Sequence, residues 1–213
     1  MSLASIWVAG LTRRRGCPSE SAGFIFLSTV IVRVVSALRI GETVPNFRDL
    51  LGTDGKRYSL ASFADVPTLV LIVSCNHCPY VQAYEDRMIA IQRDYKNRGV
   101  GFVAVNSNYD KDYPEDSYEN MVKRAKQKNF NFPYIRDETQ SLAKALSAVC
   151  TPEVFVFNEN RRLVYHGRID DNRDPAKVTK HDLTNALDAI AAGEAPPIAE
   201  TRPFGCSVKW RYD

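Results

Sequence analysis

The sequence predicts an α/β fold, a central sheet covered by helices on both faces and led in by an N-terminal β-hairpin. Three observations predict it. Thr68–Val73 and Val100–Val105 are continuous apolar, β-branched runs, as strands buried on both faces should be. Between them Val81, Tyr84, Met88, Ile91 and Tyr95 recur at steps of three and four, the period of a helix with one apolar face. Strand-like and helix-like segments then go on alternating to about residue 192.

In chain order, Val44-Pro45-Asn46-Phe47 leads into a short strand, and Thr53-Asp54-Gly55 is a turn signal before Arg57–Leu60, which makes a hairpin. The buried strand Thr68–Val73 follows. The first long helix runs to about Asn97 and is closed by Gly99, a residue free to take the left-handed conformation. After the strand Val100–Val105, Asp112 and Glu115 resemble a capping box, with Pro114 in the first turn of a helix reaching about Lys128. Ser141–Ser147 reads as a shorter helix. Val154–Phe157 and Leu163–His166 read as strands of an antiparallel hairpin joined by Asn158-Glu159-Asn160, with Arg161-Arg162 as its solvated tip. A last helix spans about Val178 to Ala192, and residues 193–213 read as an irregular tail from Pro196-Pro197 onward.

Composition sets the bounds. A chain of 213 residues that is 45% hydrophobic and 25% charged is one ordinary globular domain with an appendage, which excludes wholesale disorder and a multi-span membrane protein. The net charge of +3 is unevenly placed: residues 1–40 carry five arginines against Glu20, and the rest carry 23 basic and 24 acidic groups. The basicity belongs to the first segment, so nothing argues for nucleic-acid binding by the body. In residues 1–40, Arg13-Arg14-Arg15 precedes an apolar run from Ala22 to Val32. As a helix that run reaches only ~16 Å, short of a ~30 Å hydrocarbon core, so stable membrane insertion is not expected. The segment reads as an extension from an upstream start or as a targeting segment, with Val35-Ser36-Ala37 resembling a cleavage site. The expected location is cytoplasmic, or exported if residues 1–37 are a signal peptide. The folded domain is expected over 41–192.

Five cysteines, Cys17, Cys75, Cys78, Cys150 and Cys206, are too few and too scattered for a disulfide-stapled fold. The informative ones are Cys75 and Cys78, in Ser74-Cys75-Asn76-His77-Cys78-Pro79, between a buried strand and a helix. A helix N-terminus offers free N–H groups and partial positive charge, which stabilise a thiolate. Taking Pro79 as a first-turn residue puts the helix start near Cys75 or Asn76, with Asn76 as N-cap. Two cysteines three apart on a helix face one way, at a separation suited to a disulfide. On this reading Cys75 is an exposed nucleophile, favoured as thiolate by His77, and Cys78 is a resolving thiol one turn deeper. Packed core cysteines and a zinc site using Cys75, Cys78 and His77 are the alternatives; no second CxxC or HxxxH completes a tetrahedral set, and no metal site is assigned.

A second constellation is Cys150-Thr151-Pro152-Glu153 before the strand Val154–Phe157. X–Pro is where a cis peptide is cheap, and such a loop opposite a redox CxxC exposes the backbone of Thr151 to an incoming extended chain. An ordinary loop proline is the alternative. Glu153 reads either as a relay for the Cys78 proton or as a bystander. His166 reads as structural, Cys150 as a core filler or a neighbour of the pair, and Cys206 as a thiol that folds back over the site, pairs with another chain or does neither.

With these residues placed, the sequence resembles the thioredoxin-like superfamily, and within it the peroxiredoxin-like redoxins of the alkyl hydroperoxide reductase/thiol-specific antioxidant group. Residues 41–192 carry the resemblance: the opening hairpin, Cys75-Asn76-His77-Cys78-Pro79, Asn106-Ser107-Asn108, Arg136-Asp137-Glu138, Thr151-Pro152-Glu153 and Tyr165-His166-Gly167-Arg168. The ending Gly205-Cys206-Ser207-Val208-Lys209-Trp210 is similar to that of one bacterial subgroup. The resemblance implies a thioredoxin-like fold with a mixed sheet, Cys75 as the attacking and Cys78 as the resolving cysteine, and Pro152 as the cis-proline. It departs from the peroxiredoxin pattern Pro-x-x-x-Thr-x-x-Cys: counted back from Cys75, the Thr position holds Ile72 and the Pro position Thr68. The expected function is thiol–disulfide exchange in an antioxidant or redox-homeostasis role, on a protein or small-molecule disulfide, with an external dithiol as reductant and no bound cofactor. Peroxide reduction by Cys75 with Cys78 resolving, and a zinc- or copper-binding module of the same fold, are the rival readings.

Overall fold

A computed structural model describes residues 37–212. The readings of residues 1–36, Cys17 among them, lie outside the described residues.

Arg57 and Tyr58 fold back on Leu50–Gly52 across the Thr53–Gly55 turn, giving β1 (Leu50–Gly52) and β2 (Arg57–Tyr58) in antiparallel register. β3 (Thr68–Ser74) is buried at every position. It pairs parallel with β4 (Val100–Asn106) on one side and antiparallel with β7 (Glu153–Phe157) on the other. Side chains alternate across a strand: Val70 and Ile72 enter one core, Leu69, Leu71 and Val73 the other. Each such side chain contributes about 1.5–3 kcal/mol on leaving water, which places the rigid centre of the molecule at β3. The seven-stranded sheet runs β2-β1-β5-β4-β3-β7-β8, with β5 at Tyr134–Arg136 and β8 at Leu163–Gly167. Two further short strands, β6 (Cys150–Thr151) and β9 (Cys206–Ser207), pair outside it.

Among the described residues, four α-helices cover the two faces. α1 (Pro79–Tyr95) buries Val81, Tyr84 and Met88 in the first core, the stripe its periodicity predicts, and Gly99 closes it at φ 78°. α2 (Tyr118–Lys128) and α4 (Asp182–Ala191) join that core through Met121, Leu183 and Leu187, while Leu142 and Leu146 of α3 (Ser141–Leu146) fill the other. Arg124 of α2 grips the buried Glu85 of α1 with two hydrogen bonds, 2.7 and 2.5 Å long. Among the described residues no helix is long and apolar enough to cross a membrane.

The expected elements are present, with four corrections. α1 begins at Pro79 rather than at Cys75 or Asn76, because proline forces the residue before it out of the helical region; Cys78 is extended (φ −68°, ψ 120°) and serves as N-cap. α2 is capped by Ser117, whose hydroxyl accepts from the Asn120 N–H, and the expected Asp112–Glu115 box gives way to a 3-10 turn at Pro114–Asp116. α4 starts at Asp182 rather than Val178, since the Asp171 carboxylate takes the N–H groups of Thr179 and Lys180 and turns the chain away from a helix. Arg161 is no solvated tip: its guanidinium donates to the carbonyls of Phe63, Ala64 and Val66.

Candidate active site

The parallel strands end in register, Ser74 beside Asn106 and Asn106 beside Arg136, so the loops that follow them meet at one edge of the sheet. Open α/β sheets place their chemistry there. The loop after β3 carries Cys75 and Cys78, and the loop before β7 comes across to face it. The Thr151–Pro152 peptide is cis. The Cys75 sulfur lies 3.3 Å from the Thr151 hydroxyl, and the Cys78 sulfur 3.3 Å from the Thr151 carbonyl oxygen. The two predicted constellations are thus one site.

Its electrostatics follow from the helix start. As N-cap of α1, Cys78 sits at the positive end of the helix, where its side chain makes no cap hydrogen bond. Its thiol is pulled below its ordinary value, first by the neighbouring Cys75 and then, against the opposing effect of burial, by Cys206 and the Val81 backbone. Cys75 is pushed well above its ordinary value by the neighbouring Cys78, by burial and by the nearby Asp116 charge. The two thiols are thus shifted in opposite directions, Cys75 up and Cys78 down. The expected exposed Cys75 is not found: Cys75 is 2% and Cys78 0% accessible.

Asn76 does not cap the helix but locks the loop. Its N–H donates to Asp116 Oδ1 at 2.6 Å, its amide donates to the Glu115 carbonyl at 2.7 Å, and it accepts from the Tyr134 hydroxyl at 2.9 Å. His77 stacks on Tyr113 and places Nδ1 2.6 Å from Asp116 Oδ2. Asp116, fully buried, also accepts from the side chains of Asn106 (3.4 Å) and Asn108 (2.8 Å). Cys75, His77 and Asp116 thus bring a sulfur, an imidazole nitrogen and a carboxylate oxygen within 4.8 Å of one another. That set has the makings of a metal site, but both carboxylate oxygens are committed to four N–H donors, so it is built as a hydrogen-bonded unit beside a thiol.

The chain matches the Redoxin family over residues 39–187. It belongs to that family. A hypothetical protein of Sinorhizobium meliloti is 34% identical, with a TM-score of 0.79 over 84% of this chain and 98% of that one. An uncharacterized conserved protein of Geobacillus kaustophilus is 38% identical, with a TM-score of 0.78 over 84% and 95% of the two chains. A peroxidoxin of Mycobacterium tuberculosis shares the fold at 14% identity and a TM-score of 0.52, covering 73% of this chain and 95% of its own. So does the thioredoxin domain of a Bacteroides vulgatus thiol-disulfide oxidoreductase, at 13% identity and a TM-score of 0.52 over 61% and 89% of the two chains. No curated protein matches the chain. The fold of this redoxin is therefore thioredoxin-like, and its family is a redox family.

Within the redoxin, Cys75, Asn76, His77, Cys78, Thr151 and Pro152 converge. Glu153 faces elsewhere: Oε2 accepts from the N–H groups of Val149 (2.7 Å) and Cys150 (3.1 Å), and Oε1 lies 2.7 Å from His166 Nε2. It holds the loop that presents Thr151, and a relay for the Cys78 proton is not what its contacts provide. His166 stacks on Phe155 beside it. Cys150 lies buried in the same loop, and burial pushes its thiol up to about 12. Sequence reasoning missed Asp116, hidden in what reads as the first turn of a helix, and missed the strand made by the tail. Rather than trailing away, residues 206 and 207 pair with Cys150 and Thr151, so Thr151 already has a partner strand.

Proposed function

We propose that the protein is a thiol–disulfide oxidoreductase that works through Cys75 and Cys78, with Cys78 as the attacking sulfur. The observation that carries this is the position of Cys78 at the N-terminus of α1, where the partial positive charge of the helix favours a thiolate. A thiolate is the nucleophile in disulfide exchange. Cys78 attacks one sulfur of a substrate disulfide, the S–S bond breaks, and the second substrate sulfur leaves as a thiolate. Cys75 then gives up its proton and attacks Cys78, closing the Cys75–Cys78 disulfide and releasing the first substrate sulfur. We assign that proton to His77, which has a ring nitrogen within 4.8 Å of the Cys75 sulfur. An external dithiol restores the reduced pair. The order of the two cysteines is thus opposite to that implied by the resemblance.

A second reading has its own support. A fully buried, anionic Cys78 suits an oxidant as small as a peroxide. Counted back from Cys78 instead of Cys75, the Thr position of the peroxiredoxin pattern falls on Cys75, an S–H donor in place of a hydroxyl. Cys78 would become a sulfenic acid as the peroxide O–O bond breaks, and Cys75 would condense with it, releasing water. Stopped-flow oxidation of the reduced protein, by a protein disulfide and in parallel by hydrogen peroxide, separates the two. The main reading expects the faster second-order reaction with the disulfide, and a reaction faster only with peroxide reverses the choice.

A further inference from the structure

The backbone edge beside Pro152, which sequence reasoning offers to an incoming extended chain, is filled by the protein's own tail. Cys206 lies directly across from Thr151 in an antiparallel pair. Opposed residues in such a pair project to the same face, with Cβ atoms about 4.5–5.5 Å apart. The Thr151 hydroxyl on that face touches Cys75. Cys206 therefore projects onto the same side as the redox pair, and it packs against the core cluster that contains Cys75 and Cys78.

The tail is built for this seat. A Cβ on Gly205 would lie 1.9 Å from the Thr151 carbonyl oxygen, so only glycine allows the strand to come this close. On one side Phe204 packs against the rings of Tyr80 and Tyr84 on α1. On the other, Val208 is buried and donates to the Val149 carbonyl, while the Lys209 N–H donates to the Asn108 side chain at 2.8 Å. The sulfur of Cys206 is held where a docked substrate strand would bring its own.

We propose that Cys206 is a third redox cysteine of this site, one that exchanges with the Cys75–Cys78 disulfide. The inference rests on the dithiol reading above and adds a thiol to it. Cys206 loses its proton to solvent, and its sulfur attacks Cys78. The Cys75–Cys78 bond breaks, a Cys78–Cys206 bond forms, and Cys75 leaves as a thiolate that takes up a proton. Two electrons stay within the protein throughout. The same attack resolves any mixed disulfide on Cys78 when Cys75 is absent.

The test uses the full-length chain carrying Cys75→Ser, reduced and then exposed to oxidised glutathione. Released glutathione thiol is counted and disulfides are mapped in unreduced peptides by mass spectrometry. The expected result is two thiols released per protein and a Cys78–Cys206 bond in a monomer. Adding Cys206→Ser should leave glutathione on Cys78, with the second release slowed at least about tenfold, since an intramolecular thiol is lost. Gly205→Val in the Cys75→Ser chain should likewise lose the Cys78–Cys206 bond, by unseating the strand; if that variant does not fold, the Cys206→Ser comparison decides alone. Equal persistence of the glutathione adduct with and without Cys206 overturns the inference. Failure of the underlying reading shows differently, as no Cys75–Cys78 bond in the oxidised Cys206→Ser protein.

Discussion

Replacing Asp116 with asparagine perturbs the residue that ties the Asn76–His77 loop to the loop after β4. Each oxygen of Asp116 accepts two hydrogen bonds, from the Asn76 N–H and Asn106 on Oδ1 and from His77 and Asn108 on Oδ2. An amide keeps one oxygen and turns an NH2 toward the other two donors. Two donors then lack an acceptor, at about 1–3 kcal/mol each, so the folded state should lose about 2–6 kcal/mol. Removing the charge also removes one of the causes that hold the Cys75 thiol above its ordinary value. Urea unfolding of the reduced protein measures the first effect. Thiolate absorbance near 240 nm, followed against pH in Cys78→Ser with and without Asp116→Asn, measures the second, which should move toward acid. Stability within about 0.5 kcal/mol of the parent together with an unmoved Cys75 titration would refute this account of Asp116.

Three further predictions are independent of it. The Cys78 thiol is depressed from 9.0 to about 4 in the folded state, so between those values the unfolded chain binds more protons; the stability of the reduced protein should rise with pH across that window, by up to about 1.4 kcal/mol per unit relative to Cys78→Ser, as paired unfolding curves at pH 6 and 8 would show. Cys75→Ala should raise the Cys78 titration and Cys75→Ser should raise it less, because only serine can still donate a hydrogen bond to that sulfur; 240 nm titrations compare them. Arg124→Met should cost about 3–5 kcal/mol in urea unfolding by leaving the buried Glu85 carboxylate without its bidentate partner, and adding Glu85→Leu should recover most of it.

Long, strongly patterned segments were legible in the sequence. The apolar runs of β3 and β4 and the stripe on α1 each extend over several residues, and the sheet centre and its covering helix follow from them. The strands that escaped detection are short: Tyr134–Arg136, Cys150–Thr151 and Cys206–Ser207 are too brief to show a period, and only a tertiary partner makes them strands. Cys75, Cys78 and the Thr151-Pro152 loop were legible because each carries distinctive chemistry. The order we propose for the cysteines was not, because it depends on a local steric effect. Proline tolerates the first helical position but expels its predecessor from the helix, and this moves the N-cap from Cys75 or Asn76 to Cys78. Asp116 was invisible for a different reason. A buried carboxylate is recognised by the donors around it, and Asn76, His77, Asn106 and Asn108 reach it from two other loops of the sheet edge.

The most direct measurement is the mapping of a trapped mixed disulfide. Both Cys75→Ser/Cys206→Ser and Cys78→Ser/Cys206→Ser, which lack every resolving thiol proposed above, are mixed with a disulfide-bonded protein substrate at neutral pH, quenched with acid and analysed by mass spectrometry of unreduced peptides. The expected result is a stable adduct through Cys78 in the first variant and little or none in the second. A rapid adduct through Cys75 in the second, with Cys78 inert in the first, would contradict the assignment of Cys78 as the attacking sulfur.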